Sequence, residues 1–215
     1  MFLPASIAPR NVLPAQSVDT FPSHNKFSPQ TLCAILVKNS QQAKLQNLTL
    51  ILGGASSGKS AYAERLALST GLTPVYLATG QAKDGEMSDK IARHQARRGP
   101  EWLLIEAPLA LAPPLRSLDS SHVVLLDCLT LWLSNHLELN TNIEDKSNTL
   151  LAEIRGSQAQ VIAVSNELGL GLVPPTALGR AFRDAQGRLN QQFAEAADTV
   201  TFVAAGLPLS LKAPK

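Results

Sequence analysis

No glycine occurs before residue 53 of this 215-residue chain, although 13 follow, and five of the 14 prolines lie within residues 1–47. Repeated prolines and scattered apolar residues support neither helical nor strand periodicity. Residues 1–47 are therefore expected to form a poorly ordered extension of a domain spanning 48–215, with only the apolar run TLCAILV able to dock on it. Cysteine is nearly absent. Cys33 and Cys128 lie far apart without CxxC or Cys/His spacing, which speaks against a disulfide framework or a zinc site and favours a reducing, cytoplasmic setting. No apolar run approaches the roughly 18–20 residues that span a bilayer. Nor does the start of the chain carry a basic stretch, an apolar block and a small-residue cleavage site, so no secretory signal is expected. Charge is also sparse, at 17% with a net +2 and no run of five like charges, which argues against a partner such as nucleic acid bound through many phosphates. What remains is 45% hydrophobic, enough for one well-buried core.

From residue 48 onward, short apolar runs alternate with amphipathic segments. The runs are LTLIL (48–52), VYLA (75–78), LLIE (103–106), VVLLD (123–127), VIAVS (161–165) and TVTFVAA (199–205), each read as a strand. Segments such as KSAYAERLALST and SDKIARHQARR read as helices. A strand–helix–strand alternation predicts an α/β fold with a mostly parallel central sheet flanked by helices on both faces.

The glycines then acquire a purpose. GGASSGKS, residues 53–60, has the spacing GxxxxGKS directly after an apolar strand and directly before a helix, the context in which this P-loop motif has mechanical meaning. Gly53, Gly54 and Gly58 allow backbone N–H groups across Gly53, Gly54, Ala55, Ser56, Ser57 and Gly58 to turn toward phosphate oxygens, and the following helix adds its positive end. Lys59 is expected to reach the β and γ phosphates, and Ser60 to place its hydroxyl on Mg²⁺. Asp127, closing VVLLD, is the expected carboxylate partner of that metal; the competing reading makes it an N-terminal cap for CLTLWLSN.

A P-loop leaves the reaction open. The segment DGEMSDKIARHQARRGPEW carries His94 and the basic pair Arg97 and Arg98 on an expected helix. By spacing alone, His94 is either a half-buried or surface histidine or a nucleophile whose neutral imidazole attacks phosphorus, with the arginines offsetting the developing charge.

GGASSGKS, VYLATGQ, DGEMSDKIARHQARRGPEW, IEAP, LLDCLTLWLSN, VSNELGLGLVP and GRAFRDAQGRLNQQFAEAADTV, in this order, resemble the bifunctional adenosylcobinamide kinase/adenosylcobinamide-phosphate guanylyltransferase family over about 48–212. The resemblance implies a P-loop NTPase fold of the RecA-like kind and two reactions. The first is NTP-dependent phosphorylation of the aminopropanol hydroxyl of adenosylcobinamide. The second is transfer of GMP from GTP to adenosylcobinamide phosphate, with release of pyrophosphate. It implies that His94 carries GMP covalently and that Lys59 serves catalysis. Ala78, Thr79, Gly80, Gln95, Ala96, Arg97, Arg98, Glu106 and Asp127 would contact the ATP or GTP, and the protein would be a homotrimer. Glu106, at a strand end, could accept hydrogen bonds from guanine or simply pair with an arginine. The glycine-bearing VSNELGLGLVP suits a mobile loop that meets the corrinoid, or a capped structural turn. Arg180, Arg183 and Asp184 suit phosphate contact or a salt-bridged helix. Two departures stand out: the long extension, and Ser56 where many relatives carry arginine. The readings left in competition are a P-loop kinase of another small metabolite and a GTP-binding assembly protein without catalysis.

Overall fold

The structure is a computed structural model that describes residues 47–81 and 99–213. The expected extension and the helix SDKIARHQARR, with His94, Gln95, Ala96, Arg97 and Arg98, lie outside the described residues. Within them the six expected strands all form, with bounds moved by two residues or fewer: β1 (Leu48–Gly53), β2 (Thr73–Ala78), β3 (Leu103–Glu106), β4 (His122–Asp127), β5 (Gln160–Asn166) and β6 (Thr199–Ala204). A seventh, β7 (Leu207–Lys212), was not expected from the sequence. Its interior proline, Pro208, reads as a breaker, but β7 is an edge strand, where a missing N–H is tolerated. The helices are α1 (Lys59–Ser69), α2 (Ala112–Ser117), α3 (Leu129–Glu138), α4 (Ile143–Gly156) and α5 (Ala177–Ala196).

The strands form one sheet in the order β3-β2-β4-β5-β1-β6-β7, parallel throughout except for the antiparallel β6–β7 pair. Helical crossovers permit parallel pairing and cover both faces, which is why the central strands are almost uninterrupted apolar runs. All six residues of β1 are buried.

Alternation along each strand sends neighbouring residues to opposite faces. Leu50 and Leu52 of β1, Leu77 of β2, Val124 and Leu126 of β4 and Ala163 of β5 join a core built with α2 to α5, through Leu115, Trp132, Leu133, Ile154, Leu189 and Phe193. Ile51, Tyr76, Val123, Leu125, Ile162 and Val164 face the other way, onto Ala63 and Ala67 of α1. That second face therefore carries the helix that begins at the P-loop.

Capping follows ordinary rules. Asn142 accepts hydrogen bonds from the N–H groups of Glu144 and Asp145 at the start of α4 (3.0 and 3.4 Å). At the other end of the chain, Lys212 Nζ donates to the carbonyls of Ala194 and Glu195 (3.1 and 2.9 Å), closing the last turn of α5 with a positive charge.

Candidate active site: a glycine cradle beside an acidic corner

Strand register gathers the candidate residues at the carboxyl edge of the sheet. Gly53 of β1 lies level with Asn166 of β5, and Asp127 of β4 lies level with Ala78 of β2, which lies level with Glu106 of β3. β5 separates the P-loop strand from the strand bearing Asp127. Asp127 falls on the same side of the alternation as Val123 and Leu125, so it shares the sheet face covered by α1.

Beyond β1 the loop closes tightly. A Cβ built on Gly53 would lie 2.5 Å from Ser57 Oγ and 2.6 Å from the Val203 carbonyl oxygen, so only glycine fits. Gly58 has φ +92°, and a Cβ there would stand 3.1 Å from Gly206 Cα; Ser56, at the loop apex, also has positive φ (55°). Gly58 caps α1 without any side-chain acceptor, and the first helical bond runs from Tyr62 N–H to the Gly58 carbonyl (2.9 Å). The N–H groups of Lys59, Ser60 and Ala61 consequently have no acceptor within the helix and point out of its positive end. That is an anion site in waiting. Lys59 Nζ lies across the loop, donating to the Gly54 carbonyl (3.0 Å).

The cradle is held from outside as well. The Ala205–Gly206 turn between β6 and β7 has positive φ at both residues (51° and 79°), and the Gly206 N–H donates to the Ser57 carbonyl (2.8 Å). From the other side, Glu167 N–H donates to the Gly53 carbonyl (2.9 Å). Neither support was anticipated from the sequence; the glycine at 206 was the only local signal of a hairpin.

The acidic corner is organised differently. Asp127 does not cap α3, whose N-cap is Cys128 without a side-chain bond, so the capping alternative fails. Its Oδ2 accepts a hydrogen bond from the Tyr76 hydroxyl (2.9 Å). Its backbone is clamped by Thr79: Thr79 Oγ1 donates to the Cys128 carbonyl and accepts from the Cys128 N–H (both 2.8 Å), while Thr79 N–H donates to the Asp127 carbonyl (3.3 Å). Thr79 is fully buried, and Asn135 Nδ2 donates both to its carbonyl (2.9 Å) and to that of Pro108 (3.0 Å). Among the candidate contacts, then, Ala78 and Gly80 flank a threonine whose side chain is occupied within the protein. Glu106 stands exposed at the end of an edge strand.

Burial raises the Cys128 thiol pKa to about 11; Asp127 pushes in the same direction, while N–H groups of Leu131 and Thr130 and the charge of Lys59 oppose it.

Asn166 is pinned on both sides of its peptide, its N–H donating to Thr130 Oγ1 and its carbonyl accepting from Asn190 Nδ2 (both 3.0 Å). Beneath it, Ser165, Gln186 and Asn190 form a buried hydrogen-bonded cluster. The loop that follows exposes Leu170, Leu172 and Val173, and Arg180 Nη1 holds its end by donating to the carbonyls of Pro174 and Pro175 (3.1 and 3.0 Å). Arg183 and Asp184 approach to 3.8 Å, a loose pair.

Hard oxygen donors suit Mg²⁺ beside a polyphosphate. The Ser60 hydroxyl opens α1, Asp127 shares its sheet face, and Asp127 Oδ1 has no hydrogen-bond partner among the described residues. The residues present fit the ion. No cluster of three His, Cys, Asp or Glu side chains occurs among the described residues.

Comparison with known proteins agrees with this geometry. The family model for cobinamide kinase / cobinamide phosphate guanyltransferase matches residues 49–211. The "Bifunctional adenosylcobalamin biosynthesis protein CobP" of Pseudomonas aeruginosa is 49% identical over 166 residues, covering 76% of this chain and 96% of the relative. The CobU protein of the same description from Escherichia coli is 34% identical over 181 residues, covering 77% and 99%. Among solved structures, the flagellar accessory protein FlaH from Methanocaldococcus jannaschii superposes with a TM-score of 0.50 at 15% identity, over 84% of each chain. That likeness bears on the fold alone, a RecA-like P-loop arrangement. With the cradle, the acidic corner and the ordered motifs all inside the matched span, the chain belongs to the cobinamide kinase / cobinamide phosphate guanyltransferase family.

Proposed function

We propose that the cradle serves two successive transfers on one corrinoid substrate. The chain is a bifunctional transferase of cobalamin biosynthesis, as its family membership and nearly full-length relatives establish. In the first reaction the aminopropanol hydroxyl of adenosylcobinamide attacks the γ phosphorus of an NTP. A C–O–P linkage forms, the bond from the γ phosphorus to the β–γ bridging oxygen breaks, the nucleoside diphosphate leaves, and the hydroxyl proton passes to solvent. Lys59 and the N–H groups at the start of α1 hold the phosphates and neutralise charge that moves toward the leaving group. Ser60 and Asp127 are the residues that would hold Mg²⁺ beside the phosphates, where the ion would supply further neutralisation of that charge.

In the second reaction a His94 ring nitrogen attacks the α phosphorus of GTP and pyrophosphate departs. A phosphate oxygen of adenosylcobinamide phosphate then attacks the same phosphorus, breaking the P–N bond and regenerating the imidazole. Arg97 and Arg98 would steady the transferred group, with Gln95, Ala96, Ala78, Gly80 and Glu106 at the nucleotide's edge. The exposed Leu170, Leu172 and Val173 offer an apolar platform suited to a corrin ring beside the cradle. A homotrimer in the cytoplasm belongs to the same reading. No described helix is long and apolar enough to cross a membrane, and the edge strand β7 exposes Leu207, Leu209 and Leu211.

The observation that carries the proposal is the arrival of the P-loop strand and of Asp127 at the same carboxyl edge of the sheet, in a chain whose match covers 96% of a bifunctional relative. Incubation with α-³²P-labelled GTP tests it. Wild type is expected to acquire an acid-labile, histidine-linked label that chases into corrinoid product. His94→Ala is expected to lose label and guanylyl transfer while phosphorylating adenosylcobinamide; persistence of the label in that variant removes His94 from the reaction.

A further inference from the structure

We propose that Tyr76 is the positioning residue of Asp127. Its hydroxyl engages Oδ2 and thereby turns Oδ1 toward the cradle for Mg²⁺. The inference rests on the metal-binding reading of Asp127 given above.

The geometry is specific to the tertiary fold. Tyr76 and Asp127 stand 51 residues apart, on adjacent parallel strands. Tyr76 lies level with Leu125, and the next residue of β4 on the same face is Asp127, so the ring leans diagonally toward the carboxyl edge. Its position is constrained. The ring is 7% exposed, and Trp102 meets it edge-on with centroids 6.3 Å apart and planes at 76°. A hydroxyl carried on a packed ring delivers its proton to one place. The Asp127 backbone is fixed independently, because Thr79 clamps the peptide that follows it: the Thr79 N–H donates to the Asp127 carbonyl and Thr79 Oγ1 accepts from the Cys128 N–H. With the main chain held and Oδ2 hydrogen-bonded, both side-chain torsions of Asp127 are restrained. The other oxygen, Oδ1, has no partner among the described residues and stands at the carboxyl edge of the sheet, where the P-loop strand also ends.

A carboxylate serving a metal gains from such support, since an outer hydrogen bond restricts the ligand to its binding orientation before the ion arrives. Tyr76 is not placed on substrate or nucleotide; it acts through Asp127. The sequence offered no hint of this beyond one hydroxyl in an otherwise aliphatic strand, VYLA.

Tyr76→Phe tests the assignment, because it removes the donor and keeps the ring against Trp102. Affinity for a fluorescent ATP analogue is measured with Mg²⁺ and with EDTA, alongside Mn²⁺ binding to the ADP complex by electron paramagnetic resonance, kinase kcat and KM, and melting temperature. The expected result is an Mg²⁺-dependent gain in nucleotide affinity and an Mn²⁺ affinity both reduced about 10-fold, with unchanged binding in EDTA. Asp127→Asn is measured beside it and is expected to lose the Mg²⁺-dependent gain altogether. If Asp127→Asn loses the gain and Tyr76→Phe keeps it, Tyr76 has no positioning role and the metal reading of Asp127 stands. If Asp127→Asn keeps the gain, that metal reading fails and the role of Tyr76 fails with it. Equal weakening of Tyr76→Phe in Mg²⁺ and EDTA marks the tyrosine as structural only and overturns the proposal.

Discussion

The cradle and the acidic corner sit at the same sheet edge but are made in opposite ways. The cradle is a continuous stretch, residues 53–60, whose working groups are backbone N–H donors exposed by glycine and by the open end of a helix. The corner is assembled from Tyr76, Thr79, Asp127 and Asn135, side chains drawn from three elements and an intervening loop residue, with nearly every polar atom already satisfied inside the protein. One region presents backbone donors at the open end of a helix, while the other uses its hydrogen bonds to hold a single carboxylate still. Backbone donors need local sequence, whereas a fixed side chain needs neighbours.

The contrast can be tested first at its most sensitive point. Lys59→Ala removes the cation from the cradle together with its bond to the Gly54 carbonyl, so kinase turnover is expected to fall about 10²–10³-fold, a far larger effect than any change in melting temperature. Near-normal turnover in a steady-state assay would mean that the cradle does not hold the transferred phosphate. Gly58→Ala challenges the backbone itself. A left-handed residue with a Cβ costs about 1–2 kcal/mol, and the new atom would crowd Gly206, 3.1 Å away. Loss of nucleotide affinity together with a lower melting temperature is expected, and isothermal titration beside thermal unfolding reads both.

In the corner the expected damage is to stability. Thr79→Val keeps the shape but leaves the buried Cys128 N–H without its acceptor, at about 1–3 kcal/mol in urea unfolding. A change within experimental error would show that the clamp contributes nothing. The smallest effect concerns Cys128 itself. With its thiol raised to about 11, it should resist iodoacetamide at pH 8 in the folded protein and react once unfolded, as peptide mass spectrometry would show. The sign of the linked pH effect follows. The folded thiol holds its proton more tightly than the unfolded one, so its contribution is intact below about pH 8.5 and lost as pH rises through 11. Cys128→Ala should remove that alkaline limb.

Much of the fold was legible because the parallel strands of a covered sheet read as short apolar runs, and six of these stand out from LTLIL to TVTFVAA, the exposed edge strand LLIE included. The seventh strand was not, since LPLSLK is an exposed edge with a proline and no buried face to betray it. The same holds at the site. Lys59 and Ser60 follow from a spacing whose meaning is local, and Asp127 from its place at a strand end. Thr79, by contrast, was expected at the nucleotide on family resemblance, and the structure places its side chain in the clamp on Cys128, a contact 49 residues away in the chain. Tyr76, Asn135 and Gly206 went unremarked, because each acts on a partner that only the folded sheet brings near.

By itself the sequence determined that this chain would build a parallel sheet and end its first strand in an anion-binding turn. Both depend on residue type at short spacing, where sterics and helix geometry leave few choices. Only the tertiary structure decided which way the Asp127 carboxylate points and what braces the cradle from behind. Those outcomes depend on strand order and register, which set the distance between residues that the chain itself keeps far apart.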